Sequence, residues 1–401
     1  MNNSLSIYGG EPIRKKPFPP RRLFGEDELN AVIEVFQKSW ESGIDFGYQG
    51  IFEDAYISDF CKMQGGGYAD AVSSGTAAVY IAIAALGLPP RSEVVCSPVT
   101  DPGGITPLIV QGLHPVVADA APGGFNIGAE QLETAITSNT RALLVTHVGG
   151  IPVDMFRVGA IAKRYNLAVI EDCSQAHGAC INGIQVGNFG DIAAFSTMYS
   201  KNHASGGCGG IVFTRDYERY KLARAIADRG KPCMDDNFDP KNPGKFLFSA
   251  LNFNQDEISC AIGRSTLRKL SATIARRQAI MLRIAIGLEK SRSFSILLPA
   301  DGMDASPFFL TIRLEMEKFS VCKREIVKAI KAEGIPINPD YRYVLAEWPW
   351  LAQYCPVHPE TPNAINFRKS SFNILFNERF SDADVEDISA AMLKVEKALK
   401  R

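Results

Sequence analysis

The chain has 401 residues, 46% of them hydrophobic, and a formal net charge of -1, which speaks against a nucleic-acid binder that relies on bulk basic charge. Its longest apolar run, residues 77–86, is too short to span a bilayer, and residues 1–20 lack the continuous apolar core of a secretory signal. Nine scattered cysteines without a CxxC pair fit buried thiols in a reducing cytoplasm better than a disulfide scaffold or a zinc site.

Short apolar, β-branched runs bounded by turn residues occur at 69–72, 93–97, 115–118, 142–147, 168–171, 192–195 and 210–213. Several are apolar throughout, as strands covered on both faces must be. Helical patterns lie between many of them, at 75–86, 129–136 and 155–165. Alternating strands and helices predict an α/β fold with a mainly parallel sheet. The last two runs are close enough in sequence to pair antiparallel. Beyond residue 217 the pattern changes. Residues 217–229 read as a charged helix, 234–243 as a loop and 255–286 as a long helix. A strand at 308–314 and helices at 321–333 and 382–399 follow. The expected organisation is an N-terminal arm (1–25), a large α/β domain (26–275) and a smaller α+β domain (276–401).

In open α/β sheets, sites gather at the C-terminal strand ends. Ser73-Ser74-Gly75-Thr76 follows the first run and opens a helix. The free N–H groups and the helix dipole make it an anion site, although a Ser/Thr cap is common without one. Glu171-Asp172 with Cys173-Ser174-Gln175-Ala176-His177 follows another run. A carboxylate buried there needs a cation or several donors, and a helix cap is an equal alternative. Lys201 closes Ser196-Thr197-Met198-Tyr199-Ser200-Lys201, beyond a third run. A Schiff-base lysine must reach from such a loop into a partly dry pocket; most lone lysines are surface charges. Gly206-Gly207-Cys208-Gly209-Gly210 precedes a strand and is not GxGxxG, so a dinucleotide fingerprint is absent.

Taken in order, these segments resemble the DegT/StrS-type sugar aminotransferases, pyridoxal-phosphate (PLP) enzymes of fold type I, the aspartate-aminotransferase-like fold. The resemblance runs from about Gly9 to the C-terminal helix. Ser74-Gly75-Thr76 is similar to the family's phosphate loop. Thr140-Arg141-Ala142, His147 and Gly150-Ile151-Pro152-Val153-Asp154-Met155 resemble its central signature. Glu171-Asp172 with Gln175-Ala176-His177-Gly178 resembles its "EDAAQAHGA" segment. Gly187, Gly190-Asp191 and Phe195-Ser196 lead to Lys201 as in the family, and Leu251-Asn252-Phe253 is similar to its "NYR" segment.

The resemblance implies a mostly parallel seven-stranded sheet and a smaller α+β C-terminal domain. Lys201 would hold the cofactor and shuttle protons. Asp172 would keep the pyridine nitrogen protonated, and Gln175 would bond the ring hydroxyl. Ser74, Gly75, Thr76 and Ser196 would bind the phosphate. Asn252 would contribute to the site of a partner chain, which requires a homodimer. An amino group would pass from glutamate or glutamine to a keto-sugar, nucleotide-linked, or a related cyclic ketone, in cell-envelope polysaccharide or secondary-metabolite synthesis. Asp101 stands where many members have the aromatic that stacks on the cofactor ring, and Pro102-Gly103-Gly104 makes the loop after it unusual. Cys208, Asn254 and Arg91-Ser92 also depart from the family pattern.

His203, His177 and His147 read as structural, Tyr341, Arg342 and Tyr343 as packing between domains, and Trp348 and Trp350 as anchors of a surface loop. Three alternatives are a sugar dehydratase on the same scaffold, a regulatory protein that keeps the fold, and a nicotinamide oxidoreductase. The first characteristically replaces the lysine with histidine, the second predicts loss of Lys201 or Asp172, and the third lacks its fingerprint.

Overall fold

The computed structural model describes residues 4–232 and 237–401. Helices α1 (Glu26–Ser42) and α2 (Ile51–Met63) lead into β1 (Tyr68–Val72), α3 (Gly75–Ala84), β2 (Glu93–Cys96), α4 (Pro102–Val110), β3 (His114–Val117), α5 (Ala129–Thr134), β4 (Thr140–Thr146), α6 (Met155–Tyr165) and β5 (Ala168–Asp172). A small hairpin, β6 (Cys180–Ile181) and β7 (Ile184–Gln185), precedes β8 (Ile192–Ser196), β9 (Gly210–Thr214) and α7 (Tyr217–Ala227). The sheet order is β1-β9-β8-β5-β4-β2-β3. Every neighbouring pair from β8 to β3 is parallel, and β9 runs antiparallel to both β8 and β1.

All seven expected runs become strands of this sheet because both of its faces are covered. In β4, Ala142 and Leu144 pack with α3 and α4, while Leu143 and Val145 pack with α6. With apolar side chains wanted on both sides, the strand reads as a continuous hydrophobic run.

The 31-residue α8 (Glu257–Gly287) joins two cores. Leu267 and Leu270 pack beneath the large sheet, whereas Ile280, Met281 and Ile284 pack with a second sheet. That sheet, ordered β10-β12-β14-β13, comprises β10 (Phe294–Ile296), β12 (Leu310–Leu314), β14 (Ser371–Ile374) and β13 (Ile337–Asn338), all antiparallel. It packs with α9 (Lys323–Ala332) and α11 (Asp382–Leu399). The short α10 (Pro362–Lys369) precedes β14, and β11 (Met303–Asp304) adds a strand to the β6–β7 hairpin. Leu5 is fully buried in the second core.

Three elements differ from the sequence expectation. No helix is expected at α1 or α2, yet both form. The first N–H groups of α2 are satisfied from a distance, since Phe52 N and Glu53 N donate to Glu257 at 3.1 and 2.9 Å. Pro102-Gly103-Gly104 is not a loop but the first turn of α4, capped by Asp101; a capping Asp followed by Pro at the first helical position is a strong start signal. The loop expected at 234–243 falls partly outside the described residues. No helix among the described residues is long and apolar enough to cross a membrane.

Candidate active site

Four parallel strands, β1, β2, β5 and β8, deliver their C-terminal ends to one edge of the sheet, and a cavity of about 270 Å³ opens there. Ser74, Gly75, Thr76, Asp101, Asp172, Gln175, Ser196 and Lys201 all line it. Of the expected site residues only Asn252 does not. It is exposed, outside its own chain's cavity, and its amide oxygen accepts from Asn254 N at 3.1 Å.

At the end of β1 the chain turns directly into α3. Ser74 caps that helix, its hydroxyl accepting from Ala77 N at 3.1 Å, and so serves first as a cap. The N–H groups of Gly75 and Thr76 open the helix towards the cavity, where an anion is favoured. Gly75 packs on Ser196 so closely that a Cβ atom there would lie 2.8 Å from Ser196 Oγ. A hydroxyl and a helix N-terminus therefore share one small cradle, which fits a phosphate.

Asp172 ends β5 and is 3% exposed. Its Oδ1 accepts from Ser174 N at 3.1 Å, and among the described residues Oδ2 has only the longer contact from Thr146 Oγ1 at 3.5 Å. A buried carboxylate with one weakly satisfied oxygen facing a cavity suits a protonated ring nitrogen. Gly104 of α4 passes close by, an added Cβ lying 3.2 Å from Asp172 Oδ2. Gln175 is held at both ends: Oε1 accepts from Gly149 N at 2.7 Å, and Nε2 donates to Tyr341 Oη at 3.3 Å. Tyr341 thus does more than pack between domains; it supports a residue of the site.

Lys201 reaches in from the loop after β8. Burial lowers its pKa, while Asp172 and Asp101 oppose the shift. Its Nζ lies 4.6 Å from the centre of the Phe308 ring, a contact that leaves no trace in the sequence. Asp101 has its side chain turned to the backbone, Oδ1 accepting from Gly103 N at 2.9 Å. Gly103 and Gly104 of α4 line the cavity beside it. Phe308, Gly104 and Thr100 escape sequence reasoning, although Pro102-Gly103-Gly104 after an Asp could have signalled a helix opening onto the site.

His203 and His147 are occupied elsewhere. His203 contacts Tyr56 Oη at 2.6 Å and Thr266 Oγ1 at 3.0 Å, and burial pushes its pKa down to about 3. Val153 N donates to His147 Nδ1 at 3.0 Å, so the neutral ring carries its proton on Nε2 and donates to Glu171 at 3.3 Å. Glu171 also accepts from Gly187 N, Phe189 N and Gly190 N at 2.6–2.8 Å. His147, Glu171 and Cys173 are spaced like metal ligands, but these bonds already use both ring nitrogens and both carboxylate oxygens. Trp348 and Trp350 stack at 5.4 Å, and Trp348 Nε1 donates to Arg342 O.

Comparison with known proteins gives this geometry a lineage. The chain is 28% identical over 381 residues to the spore coat polysaccharide biosynthesis protein SpsC of Bacillus subtilis, covering 94% of this chain and 96% of that one. It is 27% identical over 385 residues to the GDP-perosamine synthase of Caulobacter vibrioides, covering 93% and 96%. Its fold matches that of an aminotransferase from Psychrobacter cryohalolentis with a TM-score of 0.86, at 24% identity over 94% of this chain and 98% of that one. The family model of the DegT/DnrJ/EryC1/StrS aminotransferases matches residues 23–393, and the chain belongs to that family.

Proposed function

We propose that the protein uses PLP to move an amino group from glutamate or glutamine onto a nucleotide-linked keto-sugar or a related cyclic ketone. The observation that carries this reading is the meeting of Lys201, Asp172 and the Gly75–Ser196 cradle in one cavity. PLP, when bound, supplies a ring that withdraws electrons from the reacting substrate carbon. The residues of the chain do the rest. Gly75, Thr76 and Ser196 bind the phosphate. Asp172 holds a proton on the ring nitrogen, and Gln175 orients the ring with the N–H that Tyr341 does not use. Lys201 Nζ, its basicity reduced by burial, holds the cofactor and moves the proton at the substrate carbon.

A larger cavity of about 710 Å³ is lined by Tyr199 and Ser200, the two residues before Lys201, and by Phe308, whose ring faces Lys201 Nζ. It offers room for an acceptor much larger than an amino acid. The relatives named above point to sugars and to polysaccharide synthesis. The homodimer rests on two observations. Asn252 is exposed outside its own chain's cavity, and α1, the segment after it and the start of α2 present Leu29, Ile33, Trp40, Ile44 and Ile51 to solvent, each more than 40% exposed. Monomers rarely leave such a patch uncovered. The described cysteines are all unpaired, which supports a cytoplasmic setting.

The test is the visible absorption of the purified protein with PLP, before and after L-glutamate or L-glutamine. A lysine-bound cofactor band that bleaches with a donor is expected, and Lys201→Ala must show neither. Asp172→Asn should keep the band and slow bleaching by roughly a hundredfold or more, the scale of losing a pre-placed charge. A protein that stays colourless with PLP contradicts the proposal. A coloured protein that ignores both donors keeps the cofactor and reopens dehydratase chemistry or a different amino donor.

A further inference from the structure

Two guanidinium groups joined by one carboxylate, far apart in sequence, hold the main chain at Lys201 and at Phe308. Arg21 donates from Nη1 to the Lys201 carbonyl at 2.7 Å and from Nη2 to the Asn202 carbonyl at 3.1 Å. Its Nε donates to Glu378 Oε1 at 2.9 Å. The other oxygen of Glu378 accepts from Arg277 Nε at 3.0 Å. Arg277 in turn donates from Nη1 to the carbonyls of Pro307 and Phe308 at 3.0 and 3.3 Å. Phe308 is the residue whose ring faces Lys201 Nζ. The same three charged groups therefore hold the root of the lysine and the root of the ring beside its amine.

Arg21 and Glu378 side chains are 17% and 15% exposed, and Arg277 is 2% exposed. Ion pairs this far from water gain little net stability, since desolvation offsets the attraction, but they define geometry. The planar fork of arginine suits the task because its donors are fixed relative to one another. A lysine that must both hold a cofactor and carry a proton swings about its own side-chain bonds. Its main chain has to stay still while it does so, because a displacement near 1 Å costs about a hundredfold in rate.

We propose that Arg21 is a positioning residue for Lys201, oriented by Glu378 and Arg277, so that the segment ahead of the first helix sets the reach of the catalytic lysine. This rests on the lysine-bound PLP reading above. The experiment compares the full-length wild type, Arg21→Ala, Arg21→Lys and Glu378→Gln. In Arg21→Ala, kcat should fall between about tenfold and a hundredfold, with the donor KM changed by less than about threefold, the pattern of a lost orientation rather than lost binding. The pH midpoint of the visible-band change should rise, because a loosened lysine regains contact with water. Arg21→Lys should recover only part of kcat, since one ammonium cannot serve two carbonyls and Glu378 at fixed angles. Glu378→Gln keeps the shape, removes the charge and should move the band midpoint the same way. It supplies the test if Arg21→Ala folds poorly.

Amide hydrogen exchange across residues 199–203 should speed up in Arg21→Ala with or without cofactor. That readout stands even if the wild type proves unable to bind PLP, an outcome that would sink the functional reading alone. Unchanged exchange, or an unchanged band midpoint in both Arg21→Ala and Glu378→Gln beside a normal wild-type band, overturns the positioning role.

Discussion

A Cβ atom placed on Gly75 would lie 2.4 Å from the Cβ of Ser196. The helix opening after β1 and the end of β8 are therefore packed backbone to side chain, and the gap that remains is the anion cradle. Gly75→Ala must push α3 and Ser196 apart. The expected cost is about 1–3 kcal/mol, the usual scale of overpacking, with at least a tenfold loss in PLP affinity. Gly75→Ala combined with Ser196→Gly should recover stability relative to Gly75→Ala alone, because the clashing atom is gone. Denaturant melts and PLP titrations of the four proteins complete the cycle. Additive losses would show that the contact does not set the cradle.

The pKa of Lys201 is lowered in the folded chain by burial. The charged form is thus disfavoured by folding. At pH values below the folded pKa this destabilises the cofactor-free protein, and the penalty fades as pH rises through the folded pKa towards the ordinary value of 10.5. Cofactor-free Lys201→Met should accordingly melt above the wild type near neutral pH, and the gap should narrow at alkaline pH. Equal melting temperatures at all pH values would contradict the assigned burial.

Glu53 presents the opposite sign. Burial, then the nearby Asp70 carboxylate, raises its pKa to about 8. The folded state favours the protonated acid, so stability is fully present below about pH 4.5 and is lost as pH rises towards 8. Glu53→Gln mimics the protonated acid in shape and donors. Its melting temperature relative to the wild type should climb between pH 5 and pH 9. A constant difference across that window would show that Glu53 is ionised throughout.

If Asn252 completes a partner's site, two defective variants should complement each other. Lys201→Ala and Asn252→Ala homodimers are expected to be dead and impaired, respectively. Mixed after co-expression, the heterodimer holds one intact site, with Lys201 from one subunit and Asn252 from the other. Activity approaching half that of the wild type, in a preparation purified through two different tags, is the expected result. Activity no higher than that of Asn252→Ala alone would place Asn252 outside any shared site. Trp40→Glu, at the exposed patch on α1, should shift the protein to monomer in light scattering and lower activity with it.

Much of the fold is legible in the sequence because a parallel sheet buried on both faces demands unbroken apolar runs, and these are seen directly. The rule that sites gather at the C-terminal ends of parallel strands then brings Ser74, Asp172, Ser196 and Lys201 into one region from the sequence alone. Tertiary structure alone decided the rest. Asp101 looks like a substitute for a stacking aromatic, but its carboxylate goes to a helix cap because Pro102 and Gly103 follow it. Gln175 finds Tyr341 across 166 residues of chain, and Arg21 finds Glu378 across 357. Bonds of this kind have no period and no local motif, and two of the three made by Arg21 end on carbonyl oxygens that every residue carries. The sequence by itself determined which chemistry the strand ends could bring together. Only the packed chain decided how firmly Lys201 is held, because that depends on groups that meet only when both sheets and the N-terminal segment have docked.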